Sequence, residues 1–186
     1  MDTKSQIIEV ATSLFQQKGF KGVGLNEILK TCNISKGSFY HHFPNGKEEA
    51  LIACLKAISE KVTTDIEYFF NTYPTTEEAT QAMIDKLIEF EREGTIAGST
   101  FISIISDMGS LSDTVRNVCI DIYKKMRVIY SNKLEAEGFS KEDARSIAVT
   151  MMATFEGAIM LCLTLKSSDP LKTISYVLPT LFKKAE

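Results

Sequence analysis

Apolar residues in this chain recur at intervals of three and four, in runs far longer than a strand, and the interruptions fall at glycine, proline or asparagine. A repeat near 3.6 residues puts one stripe of side chains on one side of a helix, whereas a strand needs strict alternation, which is scarce here. The first run sets the pattern. Ile7, Ile8, Ala11, Leu14 and Phe15 form a single stripe over 3–18, with Thr3 placed to cap it and Gly19 to stop it. An all-α fold follows, and 44% hydrophobic content in 186 residues is enough to bury a substantial core.

The same reading predicts about nine helices, over 3–18, 25–31, 36–43, 47–73, 76–93, 99–108, 112–137, 141–165 and 170–184. Their breaks lie at Pro74, between Gly94 and Gly98, at Gly109 and Ser110, at Gly138 and between Ser167 and Pro170, where Asp169 is placed to cap. No repeat, low-complexity linker or long loop appears. The second and third helices are short and separated by Cys32, Asn33 and Ile34, the spacing of a helix-turn-helix. Such a turn needs left-handed backbone, which Asn33 tolerates. Ser35 then caps the third helix and Pro44 ends it, because the residue before a proline avoids helical angles.

Residues 147–165 are almost wholly apolar and about long enough to span a bilayer, but Glu156 stands at their centre and Thr150, Thr154 and Thr164 dilute them. The segment is therefore expected to be a buried helix with the core on one face and a partner subunit on the other. Met152, Ile159, Met160 and Leu163, together with Ile174, Val177, Leu178 and Leu181, offer more apolar surface than a monomer leaves exposed, so a two-fold dimer is expected.

Charge is uneven. Residues 1–50 carry six lysines against five acidic groups, and the remainder carries fifteen basic against nineteen acidic, within a net charge of -3. The basic end is the one that holds the helix-turn-helix, as phosphate binding requires. Four widely spaced cysteines, Cys32, Cys54, Cys119 and Cys162, form no CxxC pair, and no signal peptide precedes the first amphipathic run, which points to a reducing cytoplasm. No nucleophile elbow, metal-ligand cluster or phosphate loop is present, so neither an enzyme nor a cofactor is expected. His41 and His42 are adjacent on a helix and diverge by about 100°, which argues against a shared metal ion.

The ordered set Gly19-Phe20, Leu25-Asn26-Glu27-Ile28, Ser35-Lys36-Gly37-Ser38-Phe39-Tyr40-His41-His42-Phe43 and Lys47-Glu48 resembles the signature of the TetR family of repressors. Pro44-Asn45-Gly46-Lys47 and the stretch from Gly94 to Gly98 further resemble its LmrA, YxaF and NemR-like branch. The resemblance implies a DNA-binding domain over 1–46, an effector-binding and dimerisation domain over 47–186, and a repressor released from a near-palindromic operator by a small hydrophobic ligand. Lys36, Gly37 and Ser38 suit a recognition helix facing the major groove, where a small side chain permits close approach and a long donor reaches base acceptors. Ser35 begins that helix. The resemblance gives Tyr40 and His41 phosphate contacts, and Lys47 adds a charge at a helix N-terminus that itself attracts phosphate. Phe39 and Phe43 read as packing residues. Many family members place Thr-Ser before the second helix where this chain has Val23-Gly24, which leaves Asn26 as the side chain placed to help there.

For the effector, Phe90, Phe101, Ile104, Met108, Met126, Tyr130, Met151, Phe155 and Glu156 are candidate cavity walls, and ordinary core packing is the competing reading for each. Glu156 is either an ion-paired structural group or a hook for a cationic or hydrogen-bonding ligand. Some relatives in the branch sense electrophiles through cysteines; here Ser99 and Gly109 stand at the corresponding places, leaving Cys119 and Cys32 as the thiols to examine. A DNA binder without an effector would share the head and the dimer but have no cavity.

Overall fold

The computed structural model describes residues 2–96 and 112–183, and among them every regular element is helical. Eight α-helices are seen: α1 (Thr3–Gly22), α2 (Leu25–Cys32), α3 (Lys36–His42), α4 (Lys47–Thr72), α5 (Thr76–Arg92), α6 (Asp113–Ala136), α7 (Lys141–Leu165) and α8 (Asp169–Val177), followed by a 3-10 turn at Leu178–Phe182. The helix expected over 99–108 lies outside the described residues.

Several ends differ from the sequence reading for local reasons. The cap of α1 is Asp2, whose carboxylate accepts from the Ser5 backbone at 2.8 Å, while Thr3 is already helical. Gly19 does break the helix, with φ 69 and ψ 168, but one more turn forms beyond it. Ser168, not Asp169, precedes α8, which places Asp169 and Pro170 in the first turn, where a carboxylate suits the helix dipole and a missing N–H does no harm. The final helix tightens at Leu178 because Pro179 cannot donate to an α-helical ladder. Two caps unread in the sequence also appear: a reciprocal Thr75–Glu78 capping box opens α5, and Ser140 caps α7.

The chain divides into two compact units. One gathers the chain up to Glu60 with the start of α6 as far as Ile122; the other takes the rest of α4, α5, and everything from Tyr123 onward. The boundaries fall inside α4 and α6, so each of these helices supplies residues to both units. In the first unit, Ile7, Ala11 and Phe15 of α1 pack with Ile28, Phe39 and Phe43, and the core continues through Ala50, Leu51, Cys54 and Leu55, all buried. Gln6 donates to the Cys32 carbonyl, fastening α1 to the end of α2. Ser112 donates to the Glu48 carboxylate, fastening the start of α6 to α4.

The second unit holds a polar corner. Lys133 donates to the carbonyls of Phe70, Tyr73 and Pro74 at 3.0 to 3.1 Å, while Glu137, just past the end of α6, accepts from the Thr76 N–H at 2.6 Å and hydroxyl at 2.7 Å. A cation thus meets the carbonyl end of α4 and a carboxylate the amide end of α5, each opposite the sign of the helix terminus it faces.

Helix α7 has a mean hydropathy of 1.7 over an 18-residue window, long and apolar enough by composition to cross a membrane, yet only 39% of that window is buried. One face, Ala144, Ala148, Met151, Phe155, Ala158, Ile159 and Cys162, enters the core. On the opposite face Val149, Ala153, Gly157, Leu161 and Leu165, spaced by four, are exposed and uncharged.

Candidate nucleic-acid interface and effector cavity

The turn between α2 and α3 is built by Asn33, at φ 53 and ψ 48, whose backbone N–H donates into the last turn of α2. Ser35 then starts α3, its Oγ accepting from the Ser38 N–H at 3.1 Å. Phe39 and Phe43 turn inward, with ring centroids 5.4 Å apart. That orientation leaves Lys36, Gly37, Tyr40 and His41 on the exposed side, with Ser38 half-buried beneath its cap. The Lys36 ammonium lies 5.9 Å from the Tyr40 ring centre, within cation–π range. A Cβ on Gly37 would meet nothing closer than Ser35 Oγ at 3.8 Å, so the chain's own packing does not require glycine there; its bareness admits close approach by something outside.

Asn26 is exposed near the start of α2, which Gly24 opens without any side-chain cap. Asn26, Lys30, Asn33 and Ser35 edge one shallow groove. Lys30, one turn after Asn26, was recoverable from that four-residue spacing.

Lys47, the first residue of α4, turns toward the segment that precedes α2. Its ammonium donates to the carbonyls of Phe20 at 2.9 Å and Val23 at 2.8 Å, and sits 4.1 Å from the Phe20 ring centre. Burial holds its pKa below the ordinary lysine value.

The second unit holds a partly open cavity of about 540 Å³. Five of the sequence candidates line it: Phe90, Met126, Tyr130, Phe155 and Glu156. Met151 does not; it is fully buried in the core, and Met152, one residue and about 100° further round the helix, faces the cavity instead. Phe101, Ile104 and Met108 lie outside the described residues. The largest wall missing from the sequence reading is the later part of α4 and the residue after it, with Val62, Ile66, Phe69 and Tyr73 on one stripe and Lys61, Asp65 and Tyr68 beside it. Their spacing of four, three and four was the available signal. Met83 and Leu87 of α5 complete that side with Phe90. The wall is thus aromatic and methionine-rich, with acidic and basic groups in equal number. Burial raises the Tyr130 pKa, and the negative charge of Glu156 raises it further, so its hydroxyl stays a proton donor.

Of the residues expected at a subunit interface, Met152, Met160, Leu163, Ile174 and Leu181 are half-buried and Val177 is exposed. Ile159 and Leu178 belong to the chain's own core, at 3% and 1% exposure, and Ile159 and Met152 both line the cavity. The outward stripe of α7 and Tyr176, 82% exposed, were not picked out from sequence.

All four cysteines are buried and unpaired. Desolvation raises the pKa of each, that of Cys54 to about 11. Cys32 and Cys119 therefore lack the electropositive, accessible setting that a reactive thiol needs. Among the described residues no group of three or more His, Cys, Asp or Glu stands close enough to hold a metal ion.

Residues 7–54 match the family described as bacterial regulatory proteins, tetR family, and residues 76–177 match the C-terminal domain of LmrA/YxaF-like transcriptional regulators. The chain is 33% identical to the uncharacterized HTH-type transcriptional regulator YxaF of Bacillus subtilis strain 168 over 184 residues, covering 98% of this chain and 96% of that protein. It is equally 33% identical, over 98% of both chains, to the HTH-type transcriptional regulator LmrA of the same organism. The reduced form of Escherichia coli NemR superposes with a TM-score of 0.81 at 24% identity over 96% of this chain and 95% of that one, a likeness of fold. The matched families and relatives are regulators, not enzymes.

Proposed function

Because the chain belongs to the TetR family of DNA-binding transcriptional regulators, with its C-terminal part in the LmrA/YxaF-like group, we propose that it is a dimeric repressor released from a near-palindromic operator by a small hydrophobic ligand. The observation that carries the ligand is the cavity of about 540 Å³ lined by Tyr68, Phe69, Tyr73, Phe90 and Phe155. A DNA binder without an effector has no use for an aromatic space of that size, which in a close-packed protein forgoes several side chains' worth of contacts.

The reading is supported on the DNA side by the exposed row of Lys36, Gly37, Tyr40 and His41, backed by Asn26 and Ser35. Lys36 and Gly37 address base edges, while Tyr40, His41 and Asn26 hold phosphates. The uncharged outer stripe of α7 and the exposed Tyr176 and Val177 of α8 supply the surface for a second copy. A two-fold dimer presents two recognition helices to successive major grooves, hence the near-palindrome. Because α4 is one unbroken helix from Lys47 to Thr72, a ligand that displaces its cavity-lining residues tilts the end that bears the head. A coupling of about 1–3 kcal/mol weakens operator binding about fivefold to 150-fold.

The test pairs a thermal-shift screen of aromatic compounds with fluorescence anisotropy on a duplex selected from a random pool. A compound that stabilises the protein is expected to lower its affinity for that duplex, and Met152→Trp, which narrows the cavity, to weaken both effects. If saturating compound left operator affinity unchanged, the effector reading would fail while the DNA-binding one stood.

A further inference from the structure

We infer that Tyr130 and Glu156 are the specificity-determining residues of the cavity: they select an aromatic ligand whose polar end accepts a hydrogen bond from the Tyr130 phenol and donates one to the Glu156 carboxylate, and they reject the corresponding acid. The inference rests on the reading of the cavity as the effector site and names the chemistry that site selects.

Tyr130 is 3% exposed and lines the cavity. Its hydroxyl has no hydrogen-bond partner among the described residues. A tyrosine so deeply placed ordinarily finds one, because a buried hydroxyl left unbonded forfeits its hydration for nothing. Nor is the oxygen walled in: among the described residues, the sealed side-chain polar atom without a partner is the Thr80 hydroxyl. The accessible remnant of Tyr130 therefore includes its oxygen and opens on the cavity that the residue lines. The direction of the ring is held by Phe70, itself buried, which packs edge-on against it with centroids 5.3 Å apart.

Charge decides what the phenol can meet. Lys61, Asp65, Lys86 and Glu156 line the cavity. Lys61 and Asp65 are exposed, opposite in sign and one helical turn apart. The Lys86 ammonium is held by Glu89 at 2.8 Å. The charge that acts on Tyr130 is that of Glu156, which is half-buried and helps to keep the phenol protonated. A protonated phenol donates, whereas a carboxylate only accepts, and its two oxygens have lone pairs for more than one donor. A ligand group that satisfies both carries a lone pair and a proton of its own, as a hydroxyl or a primary amide does. A carboxylate on the same rings would accept from Tyr130 but bring a second negative charge against Glu156, between the walls of Phe69, Phe90 and Phe155, where screening is weaker than in water.

The experiment is equilibrium dialysis of naphthalene, β-naphthol and β-naphthoate against full-length wild type, Tyr130→Phe and Glu156→Gln near neutral pH, where only the last probe is charged. Wild type is expected to hold β-naphthol about tenfold more tightly than naphthalene, and β-naphthoate more weakly than either. Tyr130→Phe keeps the ring and removes the donor, so β-naphthol is expected to fall to the level of naphthalene, whose own affinity does not drop. Glu156→Gln removes the charge and is expected to raise the affinity for β-naphthoate about tenfold. An undiminished preference for β-naphthol in Tyr130→Phe, or β-naphthoate bound no better by Glu156→Gln, overturns the inference. Wild type holding β-naphthoate as tightly as β-naphthol overturns it even if neither variant folds. Binding of all the probes alike would defeat this inference and leave the effector reading standing, whereas binding of none would sink the effector reading and this inference with it.

Discussion

Gly157 lies mid-way along α7, on the outward stripe between Ala153 and Leu161, and a Cβ built on it meets nothing within 4 Å. Glycine inside a helix costs about 0.5–1 kcal/mol relative to alanine, and nothing among the described residues repays it. The proposed second copy does, if a helix of the partner crosses closely at that point. The two situations predict opposite signs. For an isolated chain, Gly157→Ala and Gly157→Leu both remove a flexible residue at no steric cost, and the melting temperature rises by about 1–4 °C. Across a two-fold contact every change occurs twice, and an overpacked leucine costs about 1–3 kcal/mol each time. The dimer then loses about 2–6 kcal/mol, a weakening from about thirtyfold to beyond ten-thousandfold. Sedimentation equilibrium over a range of concentrations reads the dissociation constant, and far-UV circular dichroism at each concentration reports whether the released monomer stays helical. A Gly157→Leu protein that melts higher than wild type and remains equally dimeric would refute the placement of the interface on this face.

Lys36→Ala is expected to weaken binding to the selected duplex by about 1–3 kcal/mol and to relax preference at one base pair, whereas Tyr40→Phe weakens all sequences alike; competition with single-base variants of the duplex separates the two. Glu137→Ala leaves the buried Thr76 N–H and hydroxyl without their acceptor, and removal of two charge-assisted bonds is expected to lower stability by about 3 kcal/mol, read as a lower urea midpoint with an unchanged slope. Cys54 titrates near 11 in the folded chain against an ordinary 9.0, so the unfolded chain ionises first as pH rises. The folded state then holds the extra proton, and this thiol's contribution, intact below pH 9.0, declines up to about 11. Cys54→Ala should flatten that alkaline fall in denaturation midpoint, and native Cys54 should resist alkylation that labels it rapidly in denaturant.

What was legible in the sequence is what neighbours along the chain decide. Asn33 in the left-handed turn, Ser35 as a cap, and the bounds of the helix Lys141–Leu165 all follow from one residue's conformational or hydrogen-bonding character within a turn or so of its own position. The ordered block from Ser35 to Phe43 carried the family for the same reason, since a recognition helix is a local object. Tertiary structure decided everything that depends on which face meets what. Met151 and Met152 are indistinguishable by periodicity, yet a 100° rotation sends one into the core and the other into the cavity. Ile159 and Leu178 read as residues of a subunit interface because apolar stripes do not say which side is covered by the chain itself. The partners of Lys47 were hidden longest, because a lysine's charge is visible in the sequence while the two carbonyls that engage it lie 24 and 27 residues away and come within reach only when α1, α2 and α4 pack.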